Sequence, residues 1–468
     1  MRALDPDILE RLKSALGPDG WSVDPDRLAP KLTEWRGRWT GETPLLLLPR
    51  STEEVAAVVT ICAETGTAIT PQGGGTGLVG GQLPQGEVLL STERLRAIRE
   101  AASLDDALVV EAGVTLAAAR QAAADAGRYF PLSLASEGTA TIGGLVSTNA
   151  GGVAVLRYGV MRDLVLGLEA VLPNGEVFRG LKRLRKDVTG YDLKQLLIGA
   201  EGTLGVVTAA SLKLFPLLRS RAVAFAGLRS AHDAIELLAR AKEESGGGVE
   251  AFELMGREGL ELVLRNIAGQ REPLSEPHPW YVLIETAGAE AGGAEAALER
   301  ILSAAFEADL VQDAVLAQSE TEARTLWSLR ENHSAAQQPE GQGWKHDISV
   351  PVSKMAVFIE QGTQIAHRLS PGCRVVAFGH VGDGNVHFDV MQPQGGDGAT
   401  HAGLREAGSR AIHDLAHAFE GSISAEHGLG VLKTADAVRY KSETELAAQR
   451  AIRTALDPKR IMNPRVLF

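Results

Sequence analysis

The chain has 468 residues, of which 44% are hydrophobic and 23% are charged, and its formal net charge is -12. This composition is typical of a globular protein with two or three domains, and the acidic excess argues against binding to nucleic acid or to an anionic membrane surface. Two cysteines are too few for a disulfide framework and suit a reducing compartment. The N-terminus has no apolar signal stretch and no segment reaches about 18 apolar residues, so we predict a cytoplasmic location and no membrane span.

Up to residue 217 the predicted elements alternate helices with short strands and glycine-rich loops. A first helix is expected between Asp5 and Gly17, and a second between Ser51, which opens a capping box with Glu54, and Gly66. Strands are expected at EVLLS, ALVVEAG and LVLGLEAVLPNGEVF, the last of which turns back as a hairpin at its Asn-Gly pair.

From residue 218 to residue 420 the glycine loops largely disappear. Helices are predicted at AHDAIELLARAKEES and GGAEAALERILSAAFE, and strands at WYVLIETA, HDISVPV and RVVAFGH. In the tail, a helix starts at Ser442 and ends at Asp457-Pro458. We therefore predict three parts, at residues 1–217, 218–420 and 421–468.

The segment PQGGGTGLVGGQLP, residues 71–84, carries the first chemical motif. Its spacing satisfies G-x-G-x-x-G, but a dinucleotide fingerprint requires a following helix and a strand is expected here, while no Gly-Lys-Ser/Thr closes a P-loop. A run of unobstructed backbone N–H groups that binds an anion remains, with a flexible surface loop as the alternative. The glycine-rich segments EGTATIGGLVSTNAGG and GAEGTLGVVT favour repeated approach of backbone to one large ligand.

The segment VAFGHVGDGNVHFDV, residues 376–390, places two histidines seven positions apart. Asp383-Gly384 suits a two-residue hairpin turn, which would set His380 directly opposite His387. Opposite residues of an antiparallel pair share one face, with Cβ atoms roughly 5 Å apart. The spacing therefore predicts that the two imidazoles hold one metal ion.

Five segments in chain order resemble the FAD-linked 2-hydroxyacid dehydrogenases of the vanillyl-alcohol oxidase superfamily. They are PQGGGTGLVGG, TATIGGLVSTNAGGVAVLRYG, LRKDVTGYDLKQLLIGAEGTLGVVT, GHVGDGNVHF and SAEHGLG, and the resemblance runs from about Leu45 to Met462. It implies an α+β fold with a two-subdomain FAD-binding domain, a ferredoxin-like substrate domain that caps the flavin, and a C-terminal helical segment that returns to the FAD domain. A homodimer is the family expectation.

In the resembled family the first glycine loop holds the FAD pyrophosphate, the second lines the isoalloxazine and ribityl region, and the third reaches the adenine side. No His or Cys lies in these loops, so a non-covalent FAD is expected. The resemblance assigns cofactor contacts to Gly73, Gly74, Gly75, Thr76, Gly77, Gly80, Ile142, Gly143, Gly144, Ser147, Asn149, Gly151, Glu201, Gly202, Gly205, Val207 and Asn463.

The resemblance also adds a third metal ligand, so that His380, His387 and Glu426 bind one divalent ion. Zinc is expected first, and manganese and cobalt accept the same ligands. The adjacent His427 is implied as the general base that removes the hydroxyl proton, while the flavin takes the hydride at N5. The alternative for His427 is a residue that only orients Glu426.

Arg330, Ser334 and Lys345 keep the spacing with which D-2-hydroxyglutarate-oxidising members grip the distal carboxylate, with Ser in place of Thr. The resemblance therefore ranks D-2-hydroxyglutarate first, D-malate second, and D-lactate or glycolate third; the alternative is ordinary surface cations paired with Glu331 or Asp347. Asp389 is predicted to contact substrate at a place where many members have Asn. Its charge would repel a dianion unless it ligates the metal, holds a proton or pairs with a cation.

Two other classes of protein stay open at this point. A zinc hydrolase could use two His and a Glu, but it would leave the glycine-rich segments without a role. A flavin subunit of a glycolate-oxidising complex would share the motifs and need partners for turnover. By analogy, an electron-transfer flavoprotein or a quinone is the expected electron acceptor.

Overall fold

The computed structural model describes residues 4–467, which form two compact units. The first unit holds the described residues up to Gly152, Tyr158–Leu217 and the described residues from Glu426 onward. The second unit holds Val153–Arg157 and Leu218–Ala425. In the part of the chain that the structure describes, no helix is long and apolar enough to cross a membrane.

Short strands and helices alternate up to residue 217. The strands are β1 (Trp21–Ser22), β2 (Leu46–Leu47), β3 (Ile69–Gln72), β4 (Val88–Ser91), β5 (Ile98–Ala102), β6 (Ala107–Glu111), β7 (Arg128–Tyr129), β8 (Val165–Val171), β9 (Val177–Gly180), β10 (Val206–Lys213) and β11 (Phe215–Pro216). The helices are α1 (Pro6–Leu16), α2 (Pro25–Leu32), α3 (Thr52–Thr65), α4 (Leu116–Asp125), α5 (Ile142–Thr148), α6 (Val155–Tyr158), α7 (Met161–Leu164) and α8 (Lys194–Leu197).

The first unit contains two main sheets. One has the order β1-β2-β4-β3, with β2 and β3 parallel to β4, and the other is antiparallel with the order β5-β6-β10-β8-β9. The predicted hairpin is confirmed, since β8 and β9 pair antiparallel around Gly175 at φ 87°. Helix α3 begins after Ser51, whose side chain accepts the Glu54 N–H; the Glu54 carboxylate bonds the Arg50 N–H instead, so the predicted capping box is only half formed.

The second unit is built on one antiparallel sheet of seven strands with the order β15-β12-β14-β13-β17-β18-β16. Its strands are β12 (Ser220–Leu228), β13 (Val249–Gly256), β14 (Trp280–Gly288), β15 (Asp313–Leu316), β16 (Gly343–Ser349), β17 (Arg374–His380) and β18 (Asn385–Met391). Its helices are α9 (Ala231–Ser245), α10 (Arg257–Asn266), α11 (Gly293–Glu307), α12 (Glu320–Glu331), α13 (His333–Ala336), α14 (Met355–Leu369), α15 (Gly398–Gly403) and α16 (Arg405–Ala418).

Helices cover both faces of this sheet. Apolar residues of α9, α11, α14 and α16 form one core against the first face, and apolar residues of α10, α12 and α13 form a second core against the other. Because side chains alternate along a strand, the polar residues between these apolar positions are fixed to one face or the other.

The C-terminal segment adds two helices, α17 (Thr434–Tyr440) and α18 (Glu443–Leu456). Ser442 accepts the Glu445 N–H at 3.2 Å, as expected for the start of α18. Beyond α18 the chain runs beside β3, where the Ile69 N–H donates to the Ile461 carbonyl and the Asn463 N–H donates to the Ile69 carbonyl, both at 2.8 Å.

A buried carboxylate on β14 shows how the second unit tolerates charge inside its sheet. The Glu285 carboxylate accepts hydrogen bonds from Arg221 Nε at 2.7 Å, from Arg221 Nη2 at 2.6 Å and from Trp327 Nε1 at 2.6 Å. Both of its oxygens accept hydrogen bonds, which offsets the removal of its charge from water.

We predict that Glu285→Gln lowers the free energy of unfolding by about 1 to 3 kcal/mol, because the amide cannot accept all three hydrogen bonds. The matched control is Glu320→Gln, which removes a mostly exposed carboxylate 3.7 Å from the same arginine and should change stability by less than about 1 kcal/mol. Denaturant titration measures both variants. Equal stability losses would contradict this account.

Candidate active site

The two hairpin histidines come together in a way that differs from the prediction. The register pairs Phe378, not His380, with His387, so the predicted direct opposition is wrong. A 3₁₀ turn, Val381–Asp383, joins β17 to β18 in place of a two-residue loop. His380 lies two residues beyond Phe378 and therefore on the same face, diagonal to His387, with the imidazole centroids 5.8 Å apart.

A backbone hydrogen bond made by the residue before Glu426 positions Glu426 near the two histidines. Asp347 on β16 lies opposite His387, and the Asp347 carbonyl accepts the Ala425 N–H at 3.2 Å. The next residue is Glu426, and the ligand atoms of His380, His387 and Glu426 all lie within 4.8 Å of one another. Two imidazoles and one carboxylate suit zinc and leave a position for another ligand, so the donor set fits a divalent metal.

Charged and polar side chains occupy one face of four neighbouring strands, which we call the site face. The register of β13, β17, β18 and β16 puts Glu253 opposite His380, Phe378 and Asp347 opposite His387, and Lys345 opposite Asp389. This is the face that α10, α12 and α13 cover. The sheet therefore brings together two of the metal ligands, His380 and His387, and two of the predicted substrate residues, Lys345 and Asp389.

Glu253 was not predicted from the sequence. It is 0% exposed in the middle of β13, where Oε1 accepts from His380 Nδ1 at 2.5 Å and Oε2 accepts from Arg330 Nε at 2.7 Å. Burial opposes its ionisation, but His380 and Arg330 hold the pKa of Glu253 at about 2. The only sequence signal is a glutamate inside the otherwise apolar run Ala251–Met255.

Arg330 lies in the last turn of helix α12, with its guanidinium above the Phe378 ring, at 4.9 Å from the ring centroid. Its side chain is only 10% exposed, and its Nε is bound by Glu253. Among residues 4–467, no hydrogen bond is made by its two Nη atoms. These donors have the geometry to bind a carboxylate of a ligand. Ser334 follows in α13 and is exposed.

Lys345 has two partners on and beside the site face. Its ammonium donates to Gln337 Oε1 at 3.0 Å and lies 3.5 Å from Asp389 Oδ2. Asp389 is buried and faces Lys345 directly across β16 and β18. Of the three roles weighed for this acid, the structure shows pairing with a cation. Gln337, which the sequence did not suggest, is also buried.

The neighbouring His333 is unsuited to proton transfer. It is buried against the Phe378 ring, and its Nδ1 lies 2.9 Å from the Leu329 carbonyl. Burial and then the nearby Arg330 lower the pKa of His333 to about 3, so its imidazole is neutral at ordinary pH.

The first glycine loop of the other unit packs so closely on a second segment that side chains are excluded. A Cβ on Gly73 would lie 2.3 Å from Thr141 Oγ1, and a Cβ on Gly74 would lie 2.0 Å from the Thr139 carbonyl oxygen. Gly75 has φ +72°, which also favours glycine. These glycines are therefore required by the local backbone, whatever the loop binds.

The backbone N–H groups of residues 74–78 have no hydrogen-bond acceptor among the described residues. The Gln82 amide holds the loop from its carbonyl side, donating to Gly77 at 2.7 Å and to Gly75 at 3.4 Å. These half-buried N–H groups, which have no acceptor among the described residues, can donate hydrogen bonds to an anionic group such as the diphosphate of FAD.

The second and third glycine-rich segments also meet each other. The Gly199 N–H donates to the Val146 carbonyl at 3.0 Å, and the Glu201 N–H donates to the Ser147 carbonyl at 2.8 Å. Asn149 ends α5 with φ +51°. The other predicted FAD contacts lie in the same three segments: Thr76, Gly80, Ile142, Gly143, Gly144, Gly151, Gly202, Gly205 and Val207.

Two of the predicted cofactor residues, Glu201 and Asn463, form hydrogen bonds to backbone groups of the chain. The Glu201 carboxylate accepts the N–H groups of Leu429 at 2.9 Å and Gly430 at 2.8 Å, and burial raises the pKa of Glu201. The Asn463 amide donates to the carbonyls of Gly81 at 3.0 Å and Glu201 at 2.8 Å. These bonds fix the segment that follows the half-buried His427 to the glycine loops of the same unit.

Two family models match this chain. Residues 43–180 match an FAD binding domain, and residues 217–467, more than half of the chain, match the C-terminal domain of FAD linked oxidases.

Among solved structures, p-cresol methylhydroxylase with substrate bound aligns with 98% of this chain and 96% of its own at TM-score 0.75 and 16% identity. 4-Ethylphenol oxidase from Gulosibacter chungangensis aligns with 98% and 95% at TM-score 0.72 and 18% identity. Both likenesses show the predicted α+β fold.

Curated relatives are similar over nearly the whole chain. A protein of Arabidopsis thaliana named "D-2-hydroxyglutarate dehydrogenase, mitochondrial" is 38% identical, covering 99% of this chain and 81% of the relative. The relative of the same name from Bos taurus is 39% identical, covering 94% and 80%. A Xanthomonas citri pv. viticola protein named D-2-hydroxyglutarate dehydrogenase is 37% identical, covering 99% and 97%. The chain therefore belongs to the FAD-linked oxidases, the family that its glycine and histidine motifs predicted.

Proposed function

We propose that this protein is an FAD- and metal-dependent dehydrogenase that oxidises D-2-hydroxyglutarate to 2-oxoglutarate. The observation that carries the proposal is the grouping at the site face of a candidate metal site, a lysine, and an arginine whose Nη atoms bond to none of the described residues. One end of a hydroxy dicarboxylate needs a metal chelate and the other needs cations. The names of the curated relatives support the same substrate.

Different residues of the chain would carry out different steps of this reaction. His380, His387 and Glu426 would hold a divalent ion, with zinc as our first choice, and this ion would lower the pKa of the substrate hydroxyl. FAD, when bound by the glycine loops, supplies the acceptor for the hydride from C2. His427, directly after Glu426, would accept the hydroxyl proton on an imidazole nitrogen.

The remaining side chains would bind and orient the substrate. The Nη donors of Arg330 suit a planar carboxylate, and the Lys345 ammonium adds a second cation. Ser334 would contribute a hydroxyl group. A monocarboxylate such as D-lactate would have no second carboxylate for these cations, so the site should favour dicarboxylates.

Several wider properties stay proposals alongside the activity. We propose a homodimer, and an electron-transfer flavoprotein or a quinone as the physiological electron acceptor. The cytoplasmic location also stays a prediction, because the plant and cattle relatives are named mitochondrial.

The proposed activity predicts a clear order of substrates. The purified holoprotein is assayed with an artificial dye as acceptor and with D-2-hydroxyglutarate, D-malate, D-lactate and glycolate. We expect kcat/KM for D-2-hydroxyglutarate to exceed that for D-lactate by at least about tenfold, since one ionic hydrogen bond contributes about 1.5 to 3 kcal/mol. Equal values, or a preference for glycolate, would contradict the proposal and favour the glycolate-oxidising alternative.

Asp389 allows a sharper test of the cations. Asp389→Asn removes the negative charge beside Lys345, so we expect the kcat/KM ratio of D-2-hydroxyglutarate to D-lactate to rise by up to about tenfold. Lys345→Met should lower the same ratio, because the ammonium is lost. A fall in both variants would show that Asp389 itself contributes to dicarboxylate binding.

A further inference from the structure

Glu253 is a buried carboxylate whose two partners are both candidate functional residues. It lies between Phe252 and Leu254 in a strand that is buried along its whole length. Removing a carboxylate from water is costly unless it is paired, so its persistence here depends on its two partners. Those partners are His380, a candidate metal ligand, and Arg330, a candidate substrate-binding cation.

The two carboxylate oxygens act on different parts of the site. The oxygen that accepts from His380 Nδ1 requires a proton there, which leaves Nε2 as the ring nitrogen for a metal. The oxygen that accepts from Arg330 Nε turns the guanidinium so that its Nη donors stay available. One rigid strand residue thereby sets the orientation of a metal ligand and of a cation together.

The two orientations cannot be set independently. His380 pairs directly with Glu253 in the register of β13 and β17, so their backbones hold a fixed separation. The Arg330 guanidinium reaches the same carboxylate from α12 while lying over Phe378 on β17. A change at Glu253 therefore reaches both groups, while the sheet that carries them stays paired.

We propose that Glu253 is a positioning residue that couples the metal site to the dicarboxylate-binding arginine. This inference rests on the proposed function and deepens it, because it assigns a role to a residue outside the candidate metal ligands and the predicted substrate-binding residues. Without the carboxylate, His380 loses its fixed tautomer and Arg330 loses its fixed orientation. Metal affinity and dicarboxylate preference should therefore fall together.

The competing explanation is a buried ion pair that only stabilises the fold. Glu285 provides the matched comparison, because it lies on the adjacent strand and the same face and is bound by Arg221 and Trp327 rather than by site residues. Both acids lose a charge and keep their shape when changed to glutamine. A glutamine at 253 can accept from only one of the two partners.

The experiment compares Glu253→Gln with Glu285→Gln in the flavin-loaded full chain. Zinc binding is measured without turnover, by competition with a chromophoric chelator, and unfolding is measured on the same samples. We expect Glu253→Gln to weaken zinc binding by about 10- to 100-fold, and Glu285→Gln to leave it unchanged within about twofold, although both lower stability. Equal zinc affinity in the two variants would overturn the inference.

A second readout uses the substrate panel with zinc held at saturation. We expect Glu253→Gln to raise KM for D-2-hydroxyglutarate more than KM for D-lactate, because only the dicarboxylate uses Arg330. Equal changes in the two KM values would overturn the coupling. Should Glu253→Gln fail to fold, Glu253→Asp, which keeps the charge but shortens its reach, must show the same two losses in weaker form.

The zinc measurement also separates this inference from the proposed function. A parent protein that binds zinc but does not oxidise D-2-hydroxyglutarate would contradict the proposed function, and the Glu253 inference would then be decided by the zinc affinities alone. A parent protein that binds no zinc would overturn the inference directly.

Discussion

The second unit depends on the pairing of charges that its central sheet keeps away from water. Four adjacent strands place Glu253, His380, Asp389 and Lys345 on one covered face, and each of these groups has a partner of opposite charge or a hydrogen bond. Unpaired, the buried carboxylates of Glu253 and Asp389 would destabilise the fold by several kcal/mol. The same pairing fixes the side chains in one arrangement, and a fixed arrangement of donors is what metal and carboxylate binding require.

The first unit offers hydrogen-bond donors for an anionic ligand from its backbone alone. Its glycine loops approach each other too closely for side chains, and the first loop leaves a run of N–H groups without acceptors among the described residues. A large anionic cofactor can use such donors without any charged side chain. Glu201 and Asn463 then tie the C-terminal segment to these loops by hydrogen bonds to backbone groups. The acidic net charge of the chain is thus compatible with an anionic ligand, because local donors decide binding.

Much of this arrangement could be predicted from local sequence. Helix caps, the hairpin around Gly175 and the alternation of polar and apolar residues along the strands follow from turn chemistry and periodicity. The register between His380 and His387 could not, because a 3₁₀ turn replaced the expected two-residue loop and shifted the pairing. Glu253 was missed for another reason: its partners, His380 and Arg330, are brought to it only by the order of strands in the sheet and by the packing of α12. The pairing of Asp389 with Lys345 likewise depends on β16 lying beside β18.

Our central proposal is that oxidation of the hydroxy acid requires both a divalent metal and the flavin. Anaerobic mixing of the flavin-loaded protein with D-2-hydroxyglutarate, followed by flavin absorbance, tests this directly when zinc-replete and chelator-stripped samples are compared. The account predicts rapid bleaching in the zinc-replete sample, at least about 100-fold slower bleaching after stripping, and recovery when zinc is restored. Bleaching at the same rate in both samples, or a preparation without flavin absorbance, would contradict it.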